Sequence, residues 1–462
     1  MTQVQNLAKF VDGVRFHDLS YEAKFALKVR ILDALGCAIG AMAGPPVRAI
    51  RRQVEDMGGR PRCTLFGGGA TAPDRAALYN GALIRYLDYN DSYLAPGETC
   101  HPSDNVAPVL AASEYNHGSG EDFLTALAIA YQVQCRLSDV APVRGHGFDH
   151  TTQGAYAVAA AVAKALRLDA AHIAHAIAIA GTSLNALRVT RTGHLSNWKG
   201  LAYPATSFGA MHAAFLAKYG ITGPLEVFEG NKGFMEAVSG PFEINWAKEG
   251  LEAVCRTSVK KYNAEFHSQS TLEAVLELRA HHTFDTRDIL EVNIETFDVA
   301  YHIIGGGIEG GKKDVHTKEE ADHSLPYMVA VALLDGEVLP GQYQQDRILR
   351  PDVQGLLRRV NIQPNAAYSK LFPSSMSCNV EIHLASGEIL QADKDSYEGF
   401  YTQPFTWEQA RAKFDRLAAA YASEDLRNAV SETVAHLEDH SVTDLTALLA
   451  KAGAEAESGL QR

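Results

Sequence analysis

The feature that most limits what this chain can fold into is a change of hydrophobic period near residue 280. From Tyr21 to about residue 275, apolar residues recur at three- and four-residue spacing in FALKVRILDALGCAIGAMAG, AALYNGALIRYL and DFLTALAIAYQVQCRL. That is the spacing of one face of a helix. YAVAAAVAKAL and AAHIAHAIAIAGTSLNAL are apolar almost all round, which places such helices in the middle of a bundle. Beyond residue 280 the period falls to two in ILEVNIETF, RRVNIQP and CNVEIHLASGEILQAD, the alternation of half-buried strands. SLPYMVAVALLDG interrupts the strands as a helix, and WEQARAKFDRLAAAYA and DLRNAVSETVAHL return to helical spacing. The expected fold class is mainly α with a second, α+β domain. A large all-helical bundle is expected over 1–275, joined by C-terminal helices in 401–462, with a smaller α+β domain over 276–400. At 462 residues the chain exceeds the roughly 250–300 at which one core stops growing, which agrees with two domains.

A formal charge of -13 argues against broad binding to nucleic acid or anionic membrane, because both reward a basic surface. The one short basic stretch, RRQVEDMGGRPR at 51–62, reads as a solvated helix end and turn. No apolar run reaches the roughly 18 residues of a membrane span. The start MTQVQNLAKFVDGVRF lacks the blocks of a secretory signal, so the expected location is the cytoplasm. Six cysteines are scattered without zinc or iron–sulfur spacing and read as reduced thiols or small buried apolar residues.

Five segments concentrate groups that handle protons or anions. In LDYNDSYLAPGETCHPSDN, Leu87 to Asn105, a helix ends near Leu87 and Pro96-Gly97 forces a turn. Asp88, Asp91, Ser92, Glu98 and His101 then lie on a loop between buried helices, and Ser103, Asp104 or Asn105 is expected to cap the next helix. The plainer reading makes the two aspartates solvated or capping residues and His101 a packing histidine. RGHGFDHTTQGA holds His146 and His150 four residues apart, but Gly145 and Gly147 disfavour the helix a zinc pair needs. His150 reads better as a loop histidine beside a helix N-terminus. RVTRTGHLSNWKG gathers Arg188, Arg191, His194 and Lys199 after an apolar helix, either complementing its dipole or binding carboxylates. VKKYNAEFHSQS offers Lys260, Lys261, Glu265 and His267, and HTKEEADHSLPYMV places His323, Ser324 and Tyr327 at a helix start. Both border the expected domain boundary, where ligand sites are common.

LDYND at 87–91, HPSDN at 101–105, YNAEFHSQS at 262–270 and ADHSLPY at 321–327 together resemble the MmgE/PrpD family, with the likeness running from about residue 20 to 450. The resemblance implies a helical domain with an inserted α+β lid domain, a homodimer, and catalysis without metal, iron–sulfur cluster or other cofactor. The family's decarboxylase pattern falls on Asp88, Ser92, His101, His150, Lys199, Lys260 and Tyr327. A serine stands at 92 where decarboxylases carry threonine, and the NDSYLAPGETCHPSDN loop and ADHSLPY are closer to the 2-methylcitrate dehydratases. The implied activity is a hydro-lyase removing water from a 2-hydroxy tricarboxylate, 2-methylcitrate or citrate. Asp88, His101, His150 and Tyr327 are then the catalytic candidates. Asp91, Ser92, Lys199, Lys260, Arg191 and His323 are the substrate-binding ones. The alternatives are a cis-aconitate-type decarboxylase or a dicarboxylate epimerase on the same scaffold and, from another class, a non-catalytic carboxylate-binding protein.

Overall fold

The Ala-rich runs of the first half form the helices their period predicts. In the computed structural model, which describes residues 1–453, Thr151–Ala165 is buried along nearly its whole length and packs between Gly120–Val140 and Ala170–Ser183. Small side chains make this possible. A Cβ at Gly154 would lie 2.5 Å from the Tyr203 ring, so only glycine lets the Trp198–Lys218 helix approach so closely. The first unit comprises 1–190, 200–259 and 405–453. Its central Tyr21–Gly40 helix meets the C-terminal Trp407–Ala418 helix across Gly36, where a Cβ would stand 3.1 Å from the Phe414 backbone. Asp33, one turn earlier on that helix, is thereby brought to Lys413.

The second unit comprises Arg191–Lys199 and Lys260–Pro404. Ile289–Thr296 pairs in parallel with Val360–Pro364 on one side and antiparallel with Cys378–Leu384 on the other, with Ile389–Lys394 beyond. The period-two expectation holds: Val292 and Ile294 lie opposite Ile382 and Val380, and all four are fully buried. Gln269–His281 and Leu325–Asp335 pack against each other and on the sheet.

The expected boundary at 276 differs from the observed one at Lys260. Gln269–His281 packs on Cys378–Leu384 and Ile389–Lys394, so it belongs with the sheet although its period is helical like that of the first unit. Arg191–Lys199, expected within the bundle, also groups with the second unit. Of the six cysteines only Cys255 is not buried, as expected of small apolar fillers. Among the described residues no helix is long and apolar enough to cross a membrane.

Candidate active site

The Pro73–Tyr86 helix ends in an unusual way. Leu87 is still right-handed, but Asp88 has φ 54°, the left-handed position that helices usually give to glycine. Its side chain is held: Arg85 Nη1 donates to Asp88 Oδ1 at 2.6 Å and to Asn90 Oδ1 at 3.0 Å. Asn90 in turn donates to Ser103 Oγ and Asp104 Oδ1 at 2.9 and 2.8 Å. All of these residues are buried. A non-glycine residue persists in this conformation where its surroundings over-determine it, and such positions cluster at functional sites.

Ser92 and His101 are brought together by a hairpin. Tyr93–Ala95 pairs with Glu98–Cys100, and Gly97 takes φ 73° in the turn. The register sets Tyr93 against Cys100, so the next residues outward, Ser92 and His101, face each other. His101 Nδ1 lies 3.0 Å from Ser92 Oγ and 2.8 Å from the Asp91 carbonyl. A carbonyl only accepts, so the proton of the neutral ring sits on Nδ1 and the lone pair on Nε2. Glu98 anchors the hairpin by accepting from the Val143 and Arg144 amides, each at 3.1 Å.

His150 sits at the mouth of Thr151–Ala165, 2% exposed. Its Nδ1 lies 2.9 Å from Asp149 Oδ1, which also accepts from the Thr151 amide at 3.2 Å. A carboxylate here orients the imidazole and fixes its tautomer. The His101 and His150 rings stand edge to face with centroids 5.3 Å apart, and the Tyr203 ring lies 6.2 Å from His150. Tyr203 itself donates to Asn105 and Gln134.

Two expectations change here. Asp91 does not present its carboxylate outward: Oδ1 accepts from the Ser103 amide at 2.9 Å and Oδ2 from Tyr131 at 2.9 Å. Burial pushes the Asp91 carboxyl up, against those donors, so the residue braces the loop. Nor do Ser103, Asp104 or Asn105 cap the Val106–Tyr115 helix with a side chain. Their polar atoms are taken by Asn90, Arg85 and Gln134. His146 is exposed in the Arg144–His146 turn, away from the helical spacing to His150 that a zinc pair needs.

A second cluster lies within the second unit. Lys199 Nζ is 2.5 Å from Asp322 Oδ1 and 2.8 Å from His323 Nδ1, and Lys318 reaches Asp322 Oδ2 at 2.7 Å. Burial opposes ionisation of Asp322, but Lys199, Lys318 and His323 hold its carboxyl well below the usual range. Glu265 behaves alike. Burial would raise it, yet His267, His323 and Lys260 hold it at about 2, and Glu265 Oε1 lies 2.7 Å from His267 Nδ1. Lys260 is fully buried. Burial, with Lys199 nearby, also pulls the Lys312 ammonium down. Arg191 donates to the Lys199 carbonyl at 3.3 Å, whereas the His194 side chain is 99% exposed. Tyr327 is set apart from this group: its hydroxyl donates to the Gln342 carbonyl, and burial pushes the phenol well up. Arg85, Asn90, Asp149, Asp322 and Tyr203 were not singled out from sequence. Two of them carry a readable signal, an aspartate immediately before a histidine.

The family model of the MmgE/PrpD N-terminal domain matches residues 5–247, and that of the MmgE/PrpD C-terminal domain matches 262–439. Among curated relatives, the chain is 24% identical over 468 residues to a cis-aconitate decarboxylase of Mus musculus, covering 94% of this chain and 90% of the relative. It is 26% identical over 392 residues to a 2-methylcitrate dehydratase of Cupriavidus necator, covering 78% of each. A 2-methylcitrate dehydratase of Escherichia coli is 27% identical over 401 residues, with 79% of this chain and 78% of the relative covered.

Proposed function

The chain belongs to the MmgE/PrpD family, and on that premise we propose that it is a hydro-lyase removing water from 2-methylcitrate or citrate by acid–base chemistry. The observation that carries the reading is the pair of histidines with different partners, His150 on the Asp149 carboxylate and His101 on a carbonyl and a serine hydroxyl. Elimination needs one group to take the proton alpha to a carboxylate and another to protonate the departing hydroxide. His150 is assigned as the base, because Asp149 stabilises the imidazolium that forms on proton uptake. His101, with Ser92 beside it, is assigned as the acid in its imidazolium form, giving up a proton from Nε2 while Nδ1–H stays on the Asp91 carbonyl, and Asp88 orients the loop that carries both.

The second unit supplies the candidates for carboxylate binding. Lys199, Lys260, Lys312 and Lys318 stand against three carboxylates, the buried Asp322 and Glu265 and the half-buried Glu309, a small excess of positive charge suited to an anion. Arg191 and His323 have supporting roles in this reading, whereas Tyr327, a catalytic candidate from the sequence, is engaged by the Gln342 carbonyl and is given no role in it.

The test is to offer purified protein 2-methylcitrate, citrate and cis-aconitate separately, following absorbance of the unsaturated acid and release of carbon dioxide. Formation of the conjugated acid without gas supports the hydro-lyase. Gas from cis-aconitate alone supports the second reading, a decarboxylase, which the coverage of 94% of the chain by the mouse relative favours.

A further inference from the structure

Lys413 lies in the C-terminal Trp407–Ala418 helix, more than 300 residues from the loop it touches. Its ammonium donates to the Tyr89 carbonyl at 2.8 Å, sits 3.7 Å over the Tyr89 ring and pairs with Asp33 Oδ1 at 2.6 Å. Lys413 is 8% exposed and Asp33 1%. Burial pushes the Asp33 carboxyl up despite this lysine, and Asp91 adds to the push.

Helix packing alone does not explain such a pair. Phe414 and Leu417 already pack closely on Gly36 and Gly40, and apolar residues in place of a buried ion pair are often as stable or more so. What the ammonium adds is a grip on one backbone carbonyl. Tyr89 follows Asp88, whose left-handed φ is unfavourable for a residue with a side chain. It precedes Asn90 and Asp91, and the Asp91 carbonyl holds His101 Nδ1.

We propose that Lys413 is a positioning residue, which fixes the Asp88–Ser92 segment through the Tyr89 carbonyl and so sets the placement of His101. Asp33 is the buried counter-charge that keeps this lysine in place. The inference rests on the proposed function in one respect: His101, which the segment holds through the Asp91 carbonyl and Ser92, is the group assigned as the acid.

Lys413→Met alone leaves Asp33 buried beside a lost cation and is expected to melt lower, so the double variant Asp33→Leu/Lys413→Met carries the test. Melting, kcat and KM are measured on whichever of the three acids the wild type turns over. The His101 imidazole is followed by ¹H–¹⁵N NMR of histidine-labelled protein. The double variant is expected to melt near the wild type, to lose kcat roughly 10- to 100-fold with little change in KM, and to show shifted His101 signals. A double variant with wild-type kcat and unmoved His101 signals would overturn the proposal and reduce the pair to helix packing. If the wild type turns over none of the acids, the hydro-lyase reading fails, and the His101 signals alone decide the role of Lys413.

Discussion

Asp88 occupies a position where the backbone favours glycine and the proposed function uses its carboxylate to orient the loop of His101, and the two demands can be separated by substitution. Asp88→Ala and Asp88→Gly both leave Arg85, 2% exposed, without its 2.6 Å partner. Breaking a buried pair from one side costs about 3 kcal/mol at the low end of the usual range, and Asn90 and Asp104 still face the guanidinium. Glycine relieves the left-handed strain that alanine keeps at φ 54°, a difference of about 1 kcal/mol. The expected order of stability is therefore wild type, then Gly about 2 kcal/mol lower, then Ala about 3 kcal/mol lower. Urea unfolding followed on the same transition for all three proteins measures it. Turnover is expected to follow a different order, falling about 10²-fold in both variants, because glycine restores the turn and not the carboxylate. An Asp88→Gly protein no more stable than Asp88→Ala would refute the strain, and a variant as stable as the wild type would refute the Arg85 pair.

Asp149→Asn is expected to lower kcat about 10³-fold at unchanged melting temperature, since the amide no longer fixes the His150 tautomer; a loss of less than threefold in steady-state kinetics would remove Asp149 from the mechanism. Glu265 is held at about 2 against its ordinary 4.5, so its contribution is complete above pH 4.5 and is lost as pH falls toward 2. Acid titration of stability should show a loss on the order of 3 kcal/mol from this group, and Glu265→Gln should flatten that part of the curve. Gly154→Ala would place a methyl 2.5 Å from the Tyr203 ring, and calorimetry should report a destabilisation of about 1–3 kcal/mol.

The fold was legible because its two periods are unambiguous: Thr151–Ala165 is apolar almost all round from Tyr156 onward, and Cys378–Leu384 alternates residue by residue between buried and half-buried. The boundary was not, since Gln269–His281 has a helical period whichever core it joins. Within the site, Ser92 and His101 were found by residue type, but their contact depends on a hairpin whose register only Pro96-Gly97 announces. Asp149 and Asp322 had a local signal. Each directly precedes a histidine and lies within 3 Å of its Nδ1, at 2.9 and 2.8 Å. Arg85 and Asn90 lacked such a signal, because an arginine in a helix and an asparagine in a loop are ordinary until both are buried together. Asp33 and Lys413 lie 380 positions apart in sequence, and no local pattern connects them.

The most direct test is the rate at which chelator-treated protein forms the unsaturated acid from 2-methylcitrate and citrate, compared between wild type and His150→Gln. The expected result is metal-independent turnover of at least one acid by the wild type, and a rate lower by about 10²–10⁴-fold in a variant that melts normally. Equal rates in the two proteins, or a wild-type rate that returns only when metal is added back, would contradict acid–base elimination through the paired histidines.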